Sequence, residues 1–313
     1  MKTLNTSIIL STVLVLLTFS ACNKSNDEPT TSTQSKKLLT SESLVNVYSS
    51  QGDFNYYYRQ FGYNSYSNLS TVSIGWAEWP TDTALAGIFE IVYKADRLGN
   101  YTVEAPSVNS HYTFVYDLKN RVSKIEMKMD ITAIGYIDYD SIVYNDKNQI
   151  AAILRYTNSA YGFNHVVKVY QTINFSWDTN DNLLRLDYLY SPDAKKSSLG
   201  LADIHYRFLS YDNKINPFYN NVDPLFWYCL RAAGDEYFAA VSSNAFSFSK
   251  NNWTKMEYEA EDFGVTLKKT RSYTYDSVGY PVSCYMEDTT LLNGAFGLPD
   301  IIKHQQATLK YNK

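Results

Sequence analysis

The sequence predicts an all-β fold: an antiparallel meander of hairpins forming a curled sheet or barrel, with one short helical insert. Three observations carry this. A turn made of an aromatic followed by Asp or Asn recurs along most of the chain. Between turns, apolar and polar residues alternate at the period of a strand with one buried face. Tyrosine, which packs well on a half-exposed pleated face, occurs 29 times.

The unit is clearest at Phe114-Val-Tyr-Asp-Leu-Lys-Asn-Arg-Val-Ser-Lys-Ile125. Phe114 and Tyr116 are two apart and share a strand face. Asp117 opens a turn, where its carboxylate accepts from backbone N–H groups further along. Asn120 stands where a short hairpin loop needs positive φ, which Asn tolerates. Ile125, Met127 and Met129 then alternate with Lys124, Glu126 and Lys128.

In chain order, Lys2 precedes an apolar run from Ile8 to Ala21 that is short for a membrane span and ends in small residues. Its end, Phe19-Ser20-Ala21-Cys22, resembles a bacterial lipobox, which makes Cys22 the expected lipid attachment site. Residues 1–21 are then a lipoprotein signal peptide. Residues 22–37 are polar, Ser/Thr-rich and unable to bury apolar area, so they read as a flexible tether. Within it, Ser25-Asn26-Asp27-Glu28 reads either as a solvated linker or as a resemblance to the acidic surface-export signal of Gram-negative lipoproteins.

Residues 38–313 read as a single repeat-built β domain. The chain from residue 22 onward is long enough to bury about three-quarters of its unfolded surface. Net charge is −4, with both signs mixed and no basic stripe, which excludes nucleic acid as a partner. Cys229 and Cys284 lie in a compartment that permits a disulfide, although two buried free thiols are the expected state.

Four turns share one spacing. Tyr63-Asn64 leads to Leu69 and Val72, Tyr116-Asp117 to Val122 and Ile125, Tyr144-Asn145 to Ile150 and Ile153, and Trp177-Asp178 to Leu183 and Leu186. The first aliphatic stands six places after the aromatic and the second nine places after. Tyr275-Asp276 keeps the turn, with Gly279 and Pro281 following. The stretches from Tyr93 to Leu98 and from Phe248 to Trp253 read as shorter versions. One strand face is expected to carry Val167, Val169, Ile173, Phe175 and Trp177, and another Leu184, Leu186, Tyr188 and Tyr190. A supersecondary unit repeated at this interval marks a stacked or radial architecture. Its sheet edges must be closed or protected.

One interval breaks the rhythm. Tyr211-Asp212 begins a turn, but Pro217 stops the strand. Asp223-Pro224 offers an N-cap with Pro at the first helical position, so a short helix is expected over Pro224 to Arg231, as a plug or lid.

The Tyr-Asp-x-x-Asn-Arg-Val-x-x-Ile turn, the Tyr211–Phe218 stretch and the Ser249-Lys-Asn-Asn-Trp-Thr-Lys255 stretch resemble a Gram-negative, Bacteroidota-type lipoprotein family of unknown function. The resemblance covers most of residues 40–313 and implies a porin-like β-fold at the outer membrane. The turns also resemble the tyrosine-aspartate repeats of large secreted shell proteins. Neither resemblance brings a catalytic residue.

Chemical signatures are sparse. His111, His165, His205 and His304 have no metal-ligand spacing, and there is no Gly-x-Ser-x-Gly elbow or phosphate-cradling glycine loop. Neither a catalytic set nor a cofactor is indicated. Asp138 and Asp140 share a strand face, as a glycosidase pair would, but so close to a turn they are expected to be solvated. The stretch Glu259–Asp262 reads as a charged loop. Tyr57, Trp76 and Trp79 belong to the densest aromatic cluster outside the repeats and are the candidate ligand-binding rings, with core packing as the competing role. Thr83, Ser141, Ser277 and Thr289 sit in tripeptides that resemble an O-glycosylation sequon of exported proteins.

The leading expectation is a non-catalytic, lipid-anchored envelope protein that binds glycan or another envelope protein. An envelope glycan or peptide hydrolase is the alternative, and a true pore the third reading. The address is directly testable. Cys22→Ala is expected to abolish incorporation of a fatty-acid probe and leave an unlipidated form; undiminished labelling of that variant refutes the lipoprotein reading.

Overall fold

The computed structural model describes residues 37–46, 56–65, 67, 69–77, 84–94, 97–105, 108–129, 139–157, 167–192, 203–219, 225, 248–260, 265–291 and 301–312. Among these residues the fold has sixteen strands. They are β1 (Leu39–Asn46), β2 (Tyr56–Tyr63), β3 (Leu69–Ala77), β4 (Ala84–Lys94), β5 (Arg97–Ala105), β6 (Val108–Tyr116), β7 (Val122–Met129) and β8 (Tyr139–Tyr144). They continue with β9 (Ile150–Thr157), β10 (Lys168–Trp177), β11 (Leu183–Tyr190), β12 (Ile204–Ile215), β13 (Asn251–Ala260), β14 (Val265–Tyr275), β15 (Pro281–Leu291) and β16 (Ile301–Tyr311). Each pairs antiparallel with its sequence neighbours, and β1 pairs with β16, so the meander closes into a barrel. Closure removes the edges that an open meander would expose.

Because strand direction alternates, every second connection lies at the same end of the barrel. The aromatic–Asp/Asn turns therefore all fall at one end, called here the turn end, together with Lys37 and Asn312. The turns share one construction. Asn120 N–H donates to Asp117 O at 2.9 Å, and Asn120 has φ 64°. Asp117 Oδ1 accepts from the N–H groups of Lys119 and Arg121, both at 2.9 Å. These bonds hold the Asp117 carboxyl below its usual range, the Arg121 backbone N–H first among them. Asn145, Asp178 and Asp276 accept from the corresponding N–H groups of their own turns. Asn148 (φ 63°), Asp181 (φ 64°) and Gly279 (φ 90°) take the position of Asn120. This is a type I turn closed by a residue in the left-handed region.

The second strand of each such hairpin then carries one extra residue. Val115 pairs with Lys124 but Tyr116 with Val122, which leaves Ser123 as a bulge. Ser70, Ala151, Leu184 and Val282 occupy the same place in β3, β9, β11 and β15. A bulge turns the chain over once, so residues three apart face the same side. Val122 and Ile125, Ile150 and Ile153, and Leu183 and Leu186 are all buried inside the barrel, as are Leu69 and Val72. The bulge corrects one expected face: Leu184 points outward at 45% exposure, and Leu183 takes the inward place. A register shift between Val169 and Gln171 likewise separates exposed Val167 from inward Ile173 and Phe175.

The insert enters after Ile215 and returns at Lys250, where Asn216 N–H donates to Lys250 O. Phe248 to Trp253 is thus the return of the insert into β13 rather than a hairpin turn. Phe218 meets Phe61 of β2 edge-on at 6.5 Å, and Phe248 meets Phe175 of β10 at 5.1 Å. Of the segment expected to be helical, Leu225 is helical and buried in the same core; the rest of Pro224–Arg231 lies outside the described residues.

At the turn end neighbouring hairpins meet without a covalent link, and their ladders stop early. The β7–β8 ladder ends at Lys124 and Ser141, two residues short of Val122. The Tyr144 hydroxyl donates to Val122 O at 2.8 Å instead. The same reach joins Tyr63 to Leu39 O, Trp177 Nε1–H to Ile150 O, Tyr211 to Leu183 O, Tyr273 to Trp253 O and Tyr311 to Pro281 O. In each case the acceptor lies two residues beyond the last ladder pair. Tyr144→Phe keeps the ring and removes one such bond. It is expected to lower unfolding stability by about 1 kcal/mol in a denaturant titration; an unchanged midpoint and slope refute the capping role.

Candidate functional site

The interior is layered. Nearest the turn end lies the apolar core of Val122, Ile125, Ile150, Ile153, Leu183, Leu186 and the rings packed on them. Two residues further along the inward faces, the side chains become polar. Asp140 follows Ile142, Arg155 follows Ile153, Gln171 follows Ile173, and Arg59 precedes Phe61. All of these side chains are largely buried, Asp140 completely so.

Each buried charge faces its partner across a ladder. Arg155 Nε lies 3.5 Å from Asp140 Oδ1, its register partner, and Arg155 donates on to Gln171 Oε1 at 3.2 Å. Arg59 pairs with Glu42, and Lys269 with Asp288 at 2.9 Å, again between register partners. Burial pulls the Lys269 ammonium below its usual range, against the opposing pull of Asp288. Arg271 stacks 4.0 Å above the Trp253 ring. Tyr188, Tyr206 and Tyr258 form an edge-to-face row on β11, β12 and β13, with centroids 5.8 and 5.1 Å apart. The interior above the core is thus a belt of ion pairs and phenol rings.

The cavity between the insert and the β13–β16 wall is lined by Glu42, Phe218, Trp253, Arg271, Tyr273 and Cys284. Its volume is about 30 Å³, enough to hold ordered water. Cys284 is free, and burial pushes its thiol up to about 11, so the thiolate is scarce at neutral pH.

The sequence candidates fall as follows. Tyr57 and Trp76 are directly opposite on β2 and β3; their side chains, and the whole of Trp79, Thr83, Cys22 and Cys229, lie outside the described residues. Ser277 is exposed in the β14–β15 turn, Ser141 is half-buried in β8, and Thr289 is half-buried in β15. Asp140 is not solvated as expected: inward orientation buries it against Arg155, while Asp138 lies outside the described residues. Glu259 is not in a loop but in β13, opposite His205 and 3.2 Å from Arg207. His205 Nδ1 is 2.6 Å from Asp187, and His304 Nδ1 is 2.6 Å from the Tyr285 hydroxyl. Among the described residues no His, Cys, Asp and Glu group could hold a metal. The buried ion pairs were missed because their partners are separated in sequence and meet only through strand register.

The fold and this interior define a closed antiparallel meander barrel, plugged at its turn end and polar within. No protein-family model and no curated protein matches the sequence. Solved structures do. A porin-like protein from Bacteroides uniformis aligns at TM-score 0.54 and 14% identity, over 88% of this chain and 98% of that one. A porin-like protein from Bacteroides vulgatus aligns at TM-score 0.37 and 9% identity, over 88% and 99%. A Tc holotoxin pore from Photorhabdus luminescens aligns at TM-score 0.27 and 10% identity, over 75% of this chain and 13% of that one. The first of these shows that the protein has a porin-like β-fold.

The pairing of Asp140 with Arg155 sets a stability expectation. Arg155→Met leaves the carboxylate buried without its cation and is expected to cost about 3–5 kcal/mol. The double variant Asp140→Leu, Arg155→Met is expected to recover most of that loss in the same denaturant titration. Additive losses in the double variant refute the pairing.

Proposed function

We propose that this protein is a lipid-anchored component of the bacterial outer membrane that binds a ligand or partner rather than transforming it. The observation that carries the reading is the polarity of the barrel wall. Its outer face on β11–β14 carries charges of both signs: Arg185, Arg207, Glu257 and Lys268 in one row, and Asp187 and Glu259 on either side of the buried His205 in the next. Arg or Lys on a lipid-facing strand costs about 2–4 kcal/mol at the bilayer midplane. Such a wall favours a barrel standing in water over one inserted in lipid. The filled turn end supports the same reading, because a pore must be open at both ends.

Binding is favoured over catalysis by how the inward carboxylates are arranged. Glu42, Asp140 and Asp288 each face a cation across the ladder. None of the three stands opposite a second carboxylate, the arrangement a glycoside hydrolase uses. The phenol rows offer wide apolar area with a polar tip, which suits sugar and protein contacts. Lipidation at Cys22 supplies the anchor and leaves the barrel free of that duty.

The purified chain is expected to bind one class of glycan or envelope protein in an array screen and to give no ion conductance in planar bilayers. Stable conductance steps refute the binding-module reading in favour of a pore. Turnover of a glycan or peptide, lost on substitution of one acidic or hydroxyl residue, refutes it in favour of the hydrolase.

A further inference from the structure

We propose that the turn end of the barrel is a docking face for an anionic lipid surface. Three observations meet there. The first is the position of the chain's entry. Lys37 Nζ bonds Asp276 of the β14–β15 turn at 2.7 Å, and Asn312 N–H donates to Leu38 O at 3.0 Å. Lys37, the first described residue, therefore stands at this end of the barrel.

The second is the arrangement of charge. Lys119 and Lys147 hold the same place in two turns, two residues after the Asp or Asn; Lys214 stands two residues after Asp212 near the end of β12, and Lys250 where the insert returns. All four are exposed. The carboxylates of this end are bent back into the turns instead. Asp117 is held by its own turn and by Arg121 at 2.7 Å, and Asp178 by the N–H groups of Asn180 and Asn182. Asp181 accepts from Gln149 at 2.8 Å, Asp212 from the Tyr275 hydroxyl, and Asp276 from Lys37. Among the described residues only Asp146 is an exposed carboxylate at the tips. Among the described residues the tips therefore present ammonium groups, with most of the acids one layer behind.

The third is Leu118, fully exposed at the tip of the first of these turns beside Lys119. An apolar tip flanked by lysines suits the headgroup boundary of a membrane. Each lysine held near an anionic surface typically strengthens binding about fivefold at physiological salt. That this end meets a membrane rests on the lipid-anchor reading above. On that reading the anchor brings the basic layer against lipid phosphates and turns the opposite end outward.

The test uses the chain from residue 22 onward with Cys22→Ser, which cannot be lipidated; the described barrel closes within residues 37–312. Its co-flotation is measured with phosphatidylcholine vesicles, with and without phosphatidylglycerol. Binding is expected only to the anionic vesicles, and it should weaken steeply with salt. The variant Lys119→Gln, Lys147→Gln, Lys214→Gln, Lys250→Gln is expected to bind at least tenfold more weakly. The wall variant Lys168→Gln, Arg207→Gln, Lys255→Gln, Lys268→Gln removes the same charge and is expected to retain binding. Equal binding to neutral vesicles, an unaffected tip variant, or an equal loss in the wall variant each overturns the proposal. Absent fatty-acid labelling of the natural chain would instead remove the anchor while leaving this vesicle result intact.

Discussion

The structure depends on how the gaps between hairpins are closed at the turn end. Inside a hairpin the turn itself ties two strands together. Between hairpins nothing covalent does, and each of these ladders stops two residues short of a carbonyl that still needs a donor. A buried carbonyl left there without a donor costs about 1–3 kcal/mol. An aromatic at or near the end of an even-numbered strand meets this need: Tyr63 of β2, Tyr144 of β8, Trp177 of β10, Tyr211 of β12, Tyr273 of β14 and Tyr311 of β16. Its ring adds apolar area to the core and its polar tip reaches one strand across. Burial is the reason the Tyr63 hydroxyl is pushed up to about 12 and the Tyr211 hydroxyl higher still. A phenol so placed stays protonated and remains a donor.

Capping and bulging are two halves of one device. A type I turn with a left-handed closing residue and a bulge one position into the next strand bends and twists that strand. Repeated around the chain, the bend closes the sheet. It also sets two inward residues three apart, which concentrates aliphatic side chains at the turn end. A barrel of sixteen strands is nevertheless too wide for its own side chains to fill. Phe218, Leu225 and Phe248 of the insert make up the difference at this end. Above them the interior turns to ion pairs, and the wall outside carries mixed charge. The functional proposals follow from that order of layers: one end filled and basic at its tips, a polar belt within, and a charged exterior.

Much of this was written locally. Asp117, Asn120, Asn145, Asn148 and Asp178 announce their turns because each acts on its own backbone within four residues. The alternation after each turn announces strands for the same reason. The six-and-nine spacing of Leu69 and Val72, or of Ile150 and Ile153, also held the bulge in plain view. Two inward residues three apart are incompatible with an unbroken strand, and plain alternation therefore puts Leu184 on the wrong face. Asp140 and Arg155 were not legible in the same way. They lie 15 positions apart in the chain and carry no motif, and only the register of β8 on β9 sets them face to face.

By itself the sequence determined the repeating hairpin, the antiparallel order and the insert's place, because those rest on interactions within a few residues. The tertiary structure decided that the sheet closes, which residues fill it and which charges are buried together. Those outcomes depend on strands distant in sequence arriving in one register: β1 against β16, Glu42 against Arg59, Lys269 against Asp288. Phe218, which follows β12, reaching Phe61 on β2 is of the same kind. No local pattern encodes such meetings, since each side chain's partner is chosen by the curvature summed over the whole barrel.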